Sequence, residues 1–272
     1  MTYILKLGGG AGVDHSRVLE NLAARVQRGE RWVLVHGASD AANRLGEALG
    51  YPAQTITTAS GHVSRYTDAR TIEIFAAAAG TVNQQMTAQL IANGVQAVGL
   101  AGPNVIRARR HDAIRALRNG RQVIIRDDYT GAITGVDGAL IDTLLDAGFL
   151  PVVAPLALGE AHERLNVDGD LVAASISRAL GAEALIILSN VPGLLRDVND
   201  PTSLISECPF NELNRIQNFA HGRMKKKLMA AQEAEADRVI LADSRLDAPL
   251  DAALAGGGTH IVREVAYALA GD

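Results

Sequence analysis

Tyr3-Ile4-Leu5-Lys6-Leu7-Gly8-Gly9-Gly10 places a lysine near the end of an apolar strand and follows it with a run of glycines. Bare glycines let the backbone approach a bulky anion with their N–H groups aimed at it, and the lysine adds a full positive charge beside that cradle. Two better-known phosphate loops are laid out differently. A Walker A loop carries its lysine after the glycines, and a dinucleotide fingerprint would need glycine at Val13. A tight strand-to-helix turn would use the same glycines. A second, similar element stands downstream: Trp32-Val33-Leu34-Val35-His36-Gly37-Ala38-Ser39, a buried-strand run, a small-residue turn, then a helical pattern from Asp40 to Leu49. Two such turns on neighbouring parallel strands would aim two sets of amides and two helix N-termini at one point, at the carboxyl ends of the strands where α/β sheets bind ligands. An anionic group held between them is the natural reading.

Composition narrows the class. The chain has 272 residues, 48% of them hydrophobic but only 4% aromatic, so its core is Ala, Leu, Val and Ile, as suits helices packed on a parallel sheet. A net charge of −4 is too mild to imply nucleic acid or membrane as a global partner. One cysteine, Cys208, rules out an internal disulfide framework and a Cys-based zinc site. Lys6 interrupts the opening apolar run, so no signal peptide is expected, and no stretch approaches the ~18 apolar residues of a membrane span. The expected location is the cytoplasm.

The coarse pattern predicts strands over 3–7, 32–36, 95–100, 122–126, 150–154, 184–189, 237–242 and 258–262. Helices are expected over 14–28, 39–49, 67–92, 137–147, 168–180, 223–235 and 248–254. A polar loop follows residue 49, and an irregular segment runs from 189 to about 209. Strands alternating with helices give an α/β fold with a mainly parallel sheet shared by both halves, and no repeat or linker interrupts it.

Several constellations lie within this frame. Asn166-Val167-Asp168-Gly169-Asp170 opens a helix. It reads as a simple N-cap, or as a carboxylate, Asp170, that holds two lysines by charge-assisted hydrogen bonds. Gly222-Arg223-Met224-Lys225-Lys226-Lys227 puts three lysines at a helix N-terminus, against the macrodipole, so a compensating anion is expected there, a phosphate ligand for preference. Ser189-Asn190-Val191-Pro192-Gly193-Leu194 is a strand-end Pro-Gly turn of the kind that lines nucleotide pockets, and also of the kind found in plain loops. Ser64-Arg65-Tyr66-Thr67-Asp68 offers a helix cap and an arginine fork for a carboxylate. Between Arg107 and Arg126 lie seven arginines and one acid, Asp112: an exposed helix face or hairpin, or an electrostatic footprint for an acidic partner. The histidines are scattered, and none pairs at metal-ligand spacing.

Together, Lys6-Leu7-Gly8-Gly9, Val35-His36-Gly37, Asn166 to Asp170, Ser189 to Gly193 and Gly222 to Lys227 resemble the motifs of the amino acid kinase family over nearly the whole chain. The nearest branch is similar to the acetylglutamate kinases and to relatives that phosphorylate aminoadipate attached to a small carrier protein. Ser64-Arg65-Tyr66-Thr67-Asp68, Asp128-Tyr129-Thr130-Gly131 and Gly222 to Lys227 resemble the carrier-protein branch more. The resemblance implies one domain, a three-layer αβα sandwich around a mainly parallel central sheet, with an acyl-substrate lobe over about 1–160 and a nucleotide lobe over 161–272. It implies Lys6 and Lys227 as transition-state lysines organised by Asp170. Gly8, Gly9 and Gly37 would donate amides to the phosphoryl group; Arg65 and Asn166, with Gly37 and Ala38, would hold the acyl substrate. Ser189, Asn190, Gly193 and Leu194 would line the nucleotide site. Ala38 stands where the family usually has a second glycine, and Gly102-Pro103-Asn104-Val105 lacks the Asp-Gly turn often found there.

The implied reaction follows from charge. A side-chain carboxylate is ionised near neutral pH and needs no general base to attack the γ-phosphorus of ATP, so catalysis rests on positioning and positive charge. Mg²⁺ would be held mainly by ATP oxygens and water, with no protein metal ligands. The expected function is ATP-dependent phosphorylation of carrier-bound α-aminoadipate, or glutamate, in lysine or arginine biosynthesis. The alternatives are a kinase for free N-acetylglutamate and a nucleotide-binding regulator without turnover. The partner would be a small acidic carrier protein docked on Arg107–Arg121. With the first strand starting by about Tyr3, the N-terminal helix of hexameric, arginine-inhibited relatives is not expected. A homodimer without arginine feedback is, its interface on the 67–92 helix with Ile72, Ile74, Phe75 and Ala76–Ala79.

Overall fold

The computed structural model describes residues 1–10, 15–58, 63–118, 121–220 and 222–263. Asp14, His62, His221 and residues 119–120 of the arginine block lie outside the described residues, as do the side chains of Arg118 and Arg223.

The first half runs β1 (Thr2–Leu7), α1 (His15–Gln27), β2 (Arg31–His36), α2 (Ser39–Ala48), β3 (Thr55–Thr58), β4 (Val63–Arg65) and α3 (Ala69–Ala92). There follow β5 (Ala97–Leu100), β6 (Ile106–Arg110), β7 (Ile114–Arg118), β8 (Arg121–Ile125), β9 (Gly131–Val136), α4 (Gly138–Asp146) and β10 (Leu150–Val153). The second half runs β11 (Leu156–Leu158), β12 (Arg164–Asn166), α5 (Gly169–Leu180), β13 (Ala184–Ser189), β14 (Glu207–Pro209) and α6 (Leu213–Ile216). It ends with α7 (Arg223–Glu233), β15 (Arg238–Asp243), α8 (Pro249–Leu254) and β16 (Thr259–Val262).

Alternation along the strands divides the chain into three layers. In β1, Ile4 faces one side and Leu5 and Leu7 the other; in β13, Leu185 and Ile187 oppose Ile186 and Leu188. The first side is covered by α4, α5 and α7 through Ile141, Val172, Ile176 and Leu228, the second by α1, α3 and α8 through Leu19, Met86 and Leu250. Such strands, buried on both faces, are what a parallel sheet under helices requires. The central sheet has the order β14-β16-β15-β13-β1-β2-β10-β5 and serves both halves, as the alternating pattern predicts. All its pairings are parallel except β15 with β16. From β1 the chain steps through β2 towards β5, whereas from β13 it steps the opposite way to β15. The switch point therefore falls between β1 and β13, where α/β sheets open a crevice at the strands' carboxyl ends.

Two four-stranded sheets, β12-β11-β6-β9 and β4-β3-β7-β8, flank this core. Most of their strands were not expected. The segment after residue 49 is not a plain polar loop but carries β3 and β4, and β6, β7, β9, β11, β12 and β14 also fall outside the predicted strands. These strands are short or one-sided: Thr55-Ile56-Thr57-Thr58 buries only Ile56, and β9 contains two glycines, so neither shows a legible period.

The 24-residue α3 begins as its cap dictates, with the Asp68 carboxylate accepting from Thr71 N at 2.8 Å, and Gly94 (φ +80°) follows its end. Its apolar surplus is spent inside the chain. Ile72, Phe75, Ala78 and Ala79 pack with Ala38, Ala42, Ala154 and Leu156, and Ile74 is buried too. The apolar excess from which a dimer interface was expected is thus the α2–α3 packing of one protomer. No helix among the described residues is long and apolar enough to cross a membrane.

Candidate active site

Lys6 follows Ile4 on the face of β1 that looks towards α5, and the first turn of α5 comes to meet it. Lys6 Nζ lies 2.7 Å from Asp170 Oδ1; Lys227 Nζ, from the first turns of α7, lies 3.1 Å from Asp170 Oδ2. All three side chains are nine-tenths or more buried. Burial alone would raise the Asp170 carboxyl, but Lys6 and Lys227 overcome it and hold the group well below the usual carboxylate range. Burial lowers the Lys227 ammonium and the like charge of Lys6 lowers it further, with Asp170 offsetting only part. The result is a buried site with two cations and one anion, a net positive charge that favours an incoming anion.

Two of the three lysines at the start of α7 have partners within the protein: Asp170 takes Lys227, and Asp168 takes Lys226 at 2.9 Å, while Lys225 is exposed. Asp168 also caps α5, accepting from Asp170 N at 2.9 Å.

The two glycine turns touch. Gly8 N donates to Leu188 O at 3.2 Å and Gly37 N to Leu7 O at 2.9 Å, each carrying the ladder one step past its strand. Those two amides are therefore engaged, and the expectation that they serve the phosphoryl group is corrected. In these two turns the Gly9, Gly10, Ala38 and Ser39 amides donate to no backbone carbonyl among the described residues. Ala38 precedes α2 and is buried, and alanine in place of a second glycine keeps the backbone N–H. His36 anchors the turn from below. Its Nδ1 lies 3.2 Å from Gly37 O and its Nε2 3.1 Å from Asn83 Nδ2, a set of partners that suits a neutral ring with its proton on Nδ1. Burial pushes its pKa down to about 4.

Arg65, at the end of β4, donates to Ser39 O at 3.1 Å and Asn43 Oδ1 at 2.5 Å, which sets it beside the Gly37–Ala38 turn. Asn166 ends β12 two residues before Asp168 and donates through Nδ2 to Thr67 Oγ1 at 3.1 Å. The two expected acyl-side residues thus meet through a buried node. Thr67 N donates to Asp128 Oδ2 at 2.9 Å, Tyr129 N to Thr67 O at 2.6 Å, and Asn166 N to Tyr129 O at 2.9 Å. Asp128 is fully committed, its other oxygen accepting from Thr130 N and Thr130 Oγ1 at 2.8 and 2.5 Å. This node was not foreseen, although Asp128-Tyr129-Thr130-Gly131 stood out as a motif.

On the other side of the crevice, Ser189 ends β13, with its carbonyl accepting from Ser244 N at 2.8 Å; Asn190 is exposed. Gly193, at φ +154°, abuts Thr259, where a Cβ would lie 2.6 Å from Oγ1. Leu194 departs from its expected place. Its side chain is in the core and its N–H donates to Thr259 Oγ1 at 2.8 Å, so it anchors the turn from behind. Among the described residues no three His, Cys, Asp or Glu side chains gather as a metal site, and both oxygens of Asp170 are held by ammonium groups.

The arginine block is not one face. Arg107, Arg109 and Arg110 belong to β6 in one flanking sheet, Arg115 and Arg121 to the β7–β8 hairpin in the other. Arg109, Arg115 and Arg121 are exposed. Arg110 is pinned: its guanidinium lies 3.7 Å from the Tyr129 ring centroid and its Nε donates to Asp128 O at 2.7 Å.

Comparison with known proteins bears on this geometry. The chain is 45% identical over 264 residues to a LysW-aminoadipate kinase of Deinococcus radiodurans, covering 95% of this chain and 90% of that protein. It is 41% identical over 266 residues to a LysW-aminoadipate kinase of Thermus thermophilus, covering 95% and 99%. Among solved structures, an N-acetylglutamate synthase of Neisseria gonorrhoeae in complex with coenzyme A and N-acetyl-glutamate superposes with a TM-score of 0.78 at 26% identity. It covers 97% of this chain, which spans only 59% of that protein. A carbamate kinase of Giardia lamblia bound to citric acid, at 16% identity and a TM-score of 0.67, shares the fold over 97% of this chain and 98% of its own. The sequence model of the amino acid kinase family matches residues 1–242, a span that includes both lysines, the aspartate between them and both glycine turns. The chain belongs to the amino acid kinase family.

Proposed function

We propose that this protein transfers the γ-phosphoryl group of ATP to the side-chain carboxylate of α-aminoadipate, or of glutamate, carried on a small acidic carrier protein. The observation that carries the phosphoryl-transfer part is the buried Lys6–Asp170–Lys227 arrangement. The acceptor is supported by the relatives at 45% and 41% identity, whose names specify aminoadipate on the LysW carrier.

The acceptor carboxylate arrives ionised, and its oxygen attacks the γ-phosphorus. A bond forms from that oxygen to phosphorus, the bond to the bridging oxygen breaks, and ADP leaves, giving an acyl phosphate. The obstacle is bringing an anion to a polyanion, which an array of fixed positive charge and preorganised amides removes. Lys227 shields the leaving β-phosphate side, Lys6 the transferring phosphoryl, and the Gly9 and Ala38 amides face the same group. Asp170 holds both ammonium groups apart and in place. Mg²⁺ would be held by phosphate oxygens of the nucleotide, the two oxygens of Asp170 being engaged by Lys6 and Lys227.

Arg65 and Asn166 hold the acyl substrate, and the Ser189–Gly193 turn lines the nucleotide side. The acyl lobe is the first 160 residues and the nucleotide lobe the rest. The exposed Arg109, Arg115 and Arg121 receive the acidic carrier in the cytoplasm. The assembly implied by the family resemblance is a homodimer, which light scattering tests.

The acceptor is tested by incubating the protein with MgATP and hydroxylamine, which traps acyl phosphates as hydroxamates. Hydroxamate formed on carrier-linked aminoadipate supports this reading. Faster trapping with free N-acetylglutamate would replace it with that of an acetylglutamate kinase.

A further inference from the structure

Asp168 divides its carboxylate between two helices. Oδ1 accepts from Asp170 N at 2.9 Å and so fixes the first turn of α5; Oδ2 takes Lys226 Nζ at 2.9 Å and so holds the first turns of α7. The residue after Lys226 and the residue two after Asp168 make the buried contact, Lys227 to Asp170. Consecutive helical residues point about 100° apart, so a second lysine contact fixes the rotation of the helix start more closely than Lys227 and the core packing of Leu228 and Ala231 do alone. α7 needs such a restraint. It starts from Gly222 at φ +53° with no side-chain cap, and its first turns carry three lysines against the macrodipole.

We propose that the Asp168–Lys226 pair is a clasp that sets the rotation of α7, making both residues positioning residues for Lys227. This inference rests on the phosphoryl-transfer reading of the Lys6–Asp170–Lys227 site. The pair is less buried than the one it supports, with 29% and 22% of the two side chains exposed against 9% and 8% for Lys227 and Asp170. It therefore lies at the rim of the site, where it orients the buried pair without entering it. Lys226→Met removes the charge and keeps the helix. Asp168→Asn keeps an N-cap residue for α5 but loses the ion pair.

The test has two arms on the full chain. In the first, kcat and the KM for ATP are measured for Lys226→Met, Asp168→Asn, the double variant and Lys226→Arg. A displaced Lys227 predicts kcat down by roughly ten- to a hundredfold with KM for ATP and thermal midpoint near wild type. The double variant should be no worse than either single one, and Lys226→Arg should recover most of the rate. Additive losses, or a raised KM in Lys226→Met alone, would overturn the clasp by showing that Lys226 meets the nucleotide independently. The second arm needs no acceptor. Acetic anhydride labels lysines, and peptide mass spectrometry follows Lys227 in the substrate-free protein. Both single variants should label Lys227 several-fold faster than wild type; unchanged labelling in both would overturn the proposal whether or not the acceptor is the one named above.

Discussion

Gly9 and Gly37 lie in contact across the site: a Cβ on Gly9 would fall 2.2 Å from the Gly37 carbonyl carbon, and one on Gly37 would fall 2.4 Å from Gly9 N. The obstacle in each case is backbone, which cannot rotate away as a side chain can. Two strand ends are thereby brought together, with Gly9 set against Gly37 and Ala38. Gly9→Ala and Gly37→Ala are each expected to force the turns apart, at about 1–3 kcal/mol or more of stability, and to abolish most turnover. Urea unfolding and a steady-state assay check both. A Gly9→Ala protein with wild-type kcat would show that the close approach is dispensable.

Asp170→Asn is expected to be worse for the fold than the loss of one surface ion pair. It leaves Lys6 and Lys227 buried together without their anion, and breaking a buried pair by removing one partner typically costs about 3–5 kcal/mol. Because the Asp170 carboxyl is held low, its contribution is present above the ordinary carboxylate range and is lost as pH falls through the folded-state value. The variant should therefore lose stability at neutral pH and show a shallower acid limb, which chemical denaturation as a function of pH would reveal.

His36 supplies a separate pH dependence. Its folded pKa is about 4 against an ordinary 6.5, so between those values the unfolded chain binds a proton that the folded chain refuses. Stability therefore falls as pH drops from about 6.5 towards 4, by roughly 3 kcal/mol in all from this group. His36→Gln can still accept from Asn83 but has no proton to gain, and it should remove that part of the slope. His260, also lowered by burial, acts in the same sense and persists in the variant. Equal slopes for wild type and His36→Gln between pH 4.5 and 7 would contradict the assignment.

Charge reversal separates the arginines. Arg109→Glu, Arg115→Glu and Arg121→Glu are expected to lower kcat/KM for the carrier-linked substrate while ATP binding is unchanged. Added salt should imitate them, since exposed charges are screened beyond about 8–10 Å near physiological ionic strength. Arg110 should behave differently: Arg110→Met loses a stacked ring and a backbone contact in a half-buried setting, so its defect should persist at high salt. Stopped-flow association with the carrier over a salt series distinguishes the two behaviours.

Much of the site was legible because local rules carry it. Strand alternation sets Lys6 on the face of Ile4, and an Asx residue before a helix marks the α5 N-terminus; that Asp170 organises Lys6 and Lys227 was what the family resemblance implied. What was not legible depends on tertiary placement. Asp168 and Lys226 lie 58 positions apart, and Lys226 reads as a mere neighbour of Lys227 until α7 is laid against α5. Arg110 is one of seven arginines until Tyr129, 19 positions on, comes under it. The amides of Gly8 and Gly37 look as available as that of Gly9, because only the ladder to Leu188 and Leu7 shows which are spent. The apolar residues of α3 fit a dimer seam as well as a core stripe, and packing against α2 decides between them.

The account stands most directly on Lys227. Lys227→Met, assayed with MgATP and carrier-linked aminoadipate, should lose about 10²–10³ in kcat while its KM for ATP changes little, because a charge matched to the transition state acts on turnover rather than on ground-state binding. Near-native kcat with only a raised KM for ATP would make Lys227 a nucleotide-binding residue and contradict the mechanism.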